Sequence, residues 1–161
     1  MGGTGQKGSP GWLVLRALDD AYPAVALARL GRAPRTVHLL SQLFVVALRR
    51  CFAGRDVREI TAYVRDLLVW LGLPARGGLA RQTEALIRAA LGEPVLAGGI
   101  GGVRRHQIIC AVLGDLARPP GASPAVLAAL IEQAEQRVDR FERPLAGATR
   151  RSARGPGQNR S

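Results

Sequence analysis

The residues best equipped for chemistry in this chain are two histidines and two cysteines, and His106 and Cys110 stand four apart. On a helix that spacing puts them on one face. There a thiol and an imidazole could form a nucleophile–base pair or half of a metal site. Such a pair also needs a group to orient the base and donors for an oxyanion. The sequence offers neither at a recognisable spacing. His38 and Cys51 fall on one predicted helix, 13 residues apart. At about 1.5 Å and 100° per residue they are roughly 20 Å apart on nearly opposite sides. Geometry therefore excludes a zinc site built from all four, and no metal or cofactor is expected. Packed cysteines are the better reading, with a small enzyme using His106 and Cys110 as an alternative.

Just before this pair runs "GGIGGVRR", Gly98 to Arg105. A phosphate cradle of the dinucleotide or P-loop kind needs a strand ahead of the glycines and G-x-G-x-x-G or G-K-[ST] within them. Neither pattern is present, and "EPVLA" is too short for a central strand. What remains is a helix start with Arg104 and Arg105 beside it, where backbone N–H groups could hold an anion. A joint between two helices is the simpler reading of Gly98–Gly102.

Surface candidates are of two kinds. His38, Ser41, Gln42 and Arg49 share one face of a predicted helix and could form a polar partner-binding stripe. Tyr63 and Trp70, seven apart, flank the apolar stripe of another helix; aromatics of this kind anchor protein interfaces. Helix-turn-helix binding to DNA is disfavoured. The helix after the short joint at Gly54 opens with Asp56 and Glu59, whose charge repels phosphate.

The net charge is +11, carried by arginine except for Lys7. All twelve acids lie at or before Glu142, so Arg143, Arg150, Arg151, Arg154 and Arg160 form an acid-free end. This composition also fits a GC-rich coding sequence. A tail with these arginines makes a nucleic-acid-associated protein the second functional alternative. No apolar run reaches the roughly 18–20 residues of a membrane span, and none has the form of an export signal. A cytoplasmic protein with free thiols, not a membrane protein, is expected.

The elements that must position these groups are all helical. Leu13 to Leu30 reads as two short helices divided at Pro23. Pro34 opens a long one that Gly54 stops. Asp56 and Glu59 form a capping-box variant before the stripe Val57, Ile60, Val64, Leu67, Leu68 and Leu71. Further helices are expected over Leu79–Leu91, Val103–Arg118, and from Ser123–Pro124 to Pro144. The expected fold is all-α, a compact bundle of five to six helices spanning 12–142. Disordered segments are expected at 1–11 and 143–161. The function expected of it is a non-enzymatic protein-interaction or regulatory module with another protein as partner, self-association included.

The basic end generates a measurable expectation. Five arginines neutralise at most five phosphates, so log K for DNA should fall with log salt at a slope no steeper than about −4.5, with little sequence preference. Titration of duplexes at several salt concentrations checks this. Sequence-selective binding by a chain ending at Pro144 would move DNA reading to the helical body.

Overall fold

A computed structural model describes residues 7–31, 33–93, 97–118 and 122–152, with side chains described as far as Glu142. Every regular element among them is a helix: α1 (Pro10–Leu18), α2 (Pro23–Arg29), α3 (Pro34–Phe52), α4 (Val57–Trp70), α5 (Gly78–Ala90), α6 (Gly102–Ala117) and α7 (Pro124–Ser152). The all-α expectation holds. The count among the described residues is seven rather than five or six: the two short helices read before Gly31 each stand as an element, α1 and α2, beside five longer ones.

Local chemistry explains most of the boundaries. Proline, whose fixed φ suits the first turn, opens α1, α2, α3 and α7. The capping box of α4 forms in both directions, with Glu59 N–H donating to Asp56 Oδ1 (2.9 Å) and Asp56 N–H to Glu59 Oε2 (3.0 Å). Gly72 ends that helix at φ +68°, which lets Leu73 N–H fold back onto Leu68 O at 2.8 Å.

Both ends differ from expectation. The helical part starts at Pro10, inside the segment expected to be disordered, because Ser9 Oγ accepts the Trp12 N–H at 3.2 Å and caps α1. At the other end the backbone of α7 continues through Pro144 to Ser152. Proline removes one helical hydrogen bond, but the helix-forming Leu145, Ala146 and Ala148 lie on its far side. Residues 143–152, expected to be disordered, are thus helical, and 153–161 lie outside the described residues.

One apolar core ties the helices together, with Leu40, Leu48, Ile60, Ile87, Val112 and Ile131 sealed from solvent. The most extensive helix pairs are α2 on α6 and α3 on α7. The backbone of α4 approaches α5 more than any other helix. Between α3 and α4 the chain turns by 119°. No single helix among the described residues is long and apolar enough to cross a membrane; α3 and α4 suffice only when taken together, across that bend.

Where α2 meets α6, Gly114 faces Ala24 so closely that an added Cβ would stand 2.6 Å from Ala24 N and 2.9 Å from its Cα. Backbone cannot yield as a flexible side chain can. Gly114→Ala should therefore lower stability by about 1–3 kcal/mol despite alanine's better helix propensity, of order 1 kcal/mol. Gly102, at the start of the same helix, has open space around it, and Gly102→Ala should be neutral or stabilising. Urea unfolding of both variants checks the contrast.

Candidate functional site

The glycine run leads into α6, which begins at Gly102. None of Gly98, Gly99, Gly101 and Gly102 adopts a left-handed conformation, and each has open space where a side chain would go. Ile100 between them is buried and joins the core, while Arg105 donates to Ala97 O at 3.2 Å. This fastens the segment to the start of α6.

His106 and Cys110 do meet on α6, with Sγ 3.6 Å from Nε2. The thiol is buried, and burial pushes its pKa up to about 11. A thiolate–imidazolium pair needs the opposite shift. Cys51 sits far along α3 from His38, and among the described residues no three His, Cys, Asp or Glu side chains converge as a metal site.

The polar stripe on α3 is divided between neighbours. Arg137 Nε donates to Gln42 Oε1 at 2.9 Å, and Arg49 Nε reaches Ala90 O at 3.4 Å. His38 lies 6.2 Å from the exposed Phe141 ring. His38 and Gln42 share a shallow depression with Arg35 and Glu142, and Gln42 is already committed to α7. Arg150 and Arg151 lie on the last helical turns of α7 without described side chains, and Arg154 and Arg160 fall outside the described residues.

Tyr63 and Trp70 lead to the principal site. A cleft of about 770 Å³ opens between the end of α3, α4, the end of α6 and the start of α7. Its apolar lining is Leu43, Leu113, Leu116, Val126, Leu127 and Leu130. Arg50, Cys51, Arg55, Tyr63, Asp115 and Arg118 line it as well. Sequence reading missed this cleft because its walls come from segments far apart in the chain. Only the flanking positions of Tyr63 and Trp70 on the α4 stripe pointed towards it.

A chain of contacts organises the polar lining. Arg118 pairs with Asp115 one turn back on α6, and its guanidinium lies 3.6 Å over the Trp70 ring. The Tyr63 ring meets Phe52 edge to face at 4.9 Å, and Arg55 covers the Phe52 ring at 5.2 Å. Tyr63 Oη is sealed from solvent and faces the Asp115 carboxylate without closing a well-directed hydrogen bond. Burial first, and then Asp115, hold its pKa far above the ordinary phenol range. Arg118 Nε is likewise buried without an acceptor. Burial also raises the Cys51 pKa, against the opposing pull of Arg50 and Arg55.

Comparisons with protein families, curated proteins and solved structures give no match. Function has to be argued from the site itself.

The thiols give a direct check on this geometry. At neutral pH a water-soluble alkylating reagent should modify the exposed Cys51 slowly, because its thiol resists ionisation, and should spare Cys110 until the chain unfolds. Mass spectrometry with and without urea reads the outcome. Rapid native labelling of Cys110 would restore the nucleophile reading.

Proposed function

We propose that the chain is a non-enzymatic helical protein-interaction module that docks its partner at the edge around Trp70. The observation that carries this reading is the state of that side chain: 55% exposed, yet stacked under Arg118. A solvent-facing indole held in place by a cation loses little freedom on binding, which suits an interface anchor. Val69 and Leu73 beside it are also exposed, at 62% and 42%. The net charge of +11 favours a partner whose contacting rim is acidic. The enzyme alternative is weakened by the protonated state that burial imposes on Cys110 and on the Tyr63 phenol.

The test compares wild type, Trp70→Ala and a distant control, Arg81→Ala, after circular dichroism and melting have shown all three folded. Light scattering first shows whether the partner is a second copy. Affinity capture from the native lysate then identifies any other protein held. Trp70→Ala should weaken the complex by at least about 2 kcal/mol, the scale of an interface hot spot, whereas Arg81→Ala should leave it unchanged. Equal retention by Trp70→Ala and wild type would overturn the assignment of this edge.

A further inference from the structure

The cleft beside Trp70 is lined by two chemically distinct sets of residues, of which the protein-docking reading uses only Arg118. Its volume lies within the roughly 300–1,000 Å³ typical of small-ligand pockets. The leucine and valine wall draws apolar surface out of water but specifies no orientation. Orientation must come from the polar lining, in which three arginines stand against one carboxylate, Asp115, among the described residues. Arg118 is committed to that carboxylate and to Trp70. Arg50 has no ion pair among the described residues, and Arg55 has only the Phe52 ring. Arg50 and Arg55 flank Cys51 and Phe52 in the chain, and all four line the cleft.

The helix ends do not decide the sign of the charge. α3 and α6 turn carboxyl ends towards this region, while α4 and α7 begin there, so their dipoles largely offset. Side chains decide it, and they are in cationic excess.

We propose that the cleft binds a small amphiphile, its apolar chain against Leu116, Leu127 and Leu130 and its anionic head at Arg50 and Arg55. The head chemistry shared by the fitting ligands is an oxyanion, carboxylate or phosphate, which the guanidinium fork binds through paired N–H groups. The proposal stands independently of docking at Trp70, since the residues that test it are Arg50, Arg55 and Leu127.

Calorimetric titration of the full chain with decanoate, decyl phosphate and decanol, each below its aggregation concentration, provides the test. At least one anion should saturate at one molecule per chain and bind about tenfold or more tighter than decanol, the scale of one charge-assisted contact. The anion that does so identifies the head; if both do, either oxyanion is accepted. The surface double variant Arg50→Gln/Arg55→Gln should abolish the difference between anion and alcohol, while the exposed Arg58→Gln/Arg81→Gln pair should preserve it. Leu127→Trp should weaken all three ligands by filling space beside the apolar lining. The preferred anion should also slow alkylation of Cys51, which lies in the cleft wall, and this readout remains should Leu127→Trp fail to fold. No saturable binding, equal affinity for decanol and both anions, or an anion preference that survives loss of Arg50 and Arg55 would overturn the proposal.

Discussion

The absence of a side chain at Gly114 sets how closely α6 can lie on α2, and much of the rest depends on that closeness. With a Cβ only 2.6 Å from the nearest backbone atom, the two helices could not keep their present separation. That contact fixes the rotation of α6 about its own axis. Val112 and Leu113 then point into the core, as does Ala117. Asp115 and Arg118, one and four positions on from Gly114, turn towards α4 instead. The apolar packing of one face thereby aims the polar groups of another.

What α4 receives from this arrangement is a side-chain link rather than close backbone packing. Its stripe of Ile60, Val64, Leu67 and Leu68 enters the core, but its backbone lies closest to α5. The bridge to α6 runs from Trp70 through Arg118 and Asp115 to Tyr63, and on through Phe52 to α3. A cation over an exposed ring contributes about 0.5–1 kcal/mol, and an aromatic pair about 0.5–1.5 kcal/mol. Such a bridge aligns side chains without locking the helix in place. The cleft lies along it, so its polar lining is ordered by contacts for which other groups could compete.

The sequence carried the helices and not the cleft, for a physical reason. Helical periodicity and capping are local: Asp56 with Glu59, Pro34 and Ser123–Pro124 each act within one turn. The misjudged ends turned on equally local details. Ser9 was a cap read as part of a mobile segment, and Pro144 was given more power to end a helix than its single lost hydrogen bond commands. Tyr63 and Trp70 were legible as edge residues because they flank an apolar stripe at regular spacing. Arg50, Arg55 and Arg118 were not, because nothing in their spacing shows that three different segments bring them to one wall. Gln42 stood out as a surface residue, yet its amide is taken by Arg137 from 95 positions away. Long-range pairing of this sort leaves no periodic trace.

The electrostatics of the cleft bear on what kind of chemistry it can perform. Burial raises the pKa of Cys51 and Tyr63 even though arginines stand close enough to pull both down. Desolvation therefore outweighs the local cations, and at neutral pH both groups keep their protons. A site meant to generate a nucleophile would tip this balance the other way, using the same arginines to stabilise thiolate or phenolate. Here the arginines stand beside two acids that keep their protons, so neither Cys51 nor Tyr63 is an activated nucleophile. Among the described residues that line the cleft, the one carboxylate, Asp115, is held by Arg118, which leaves the charge of Arg50 and Arg55 without a fixed counter-ion there.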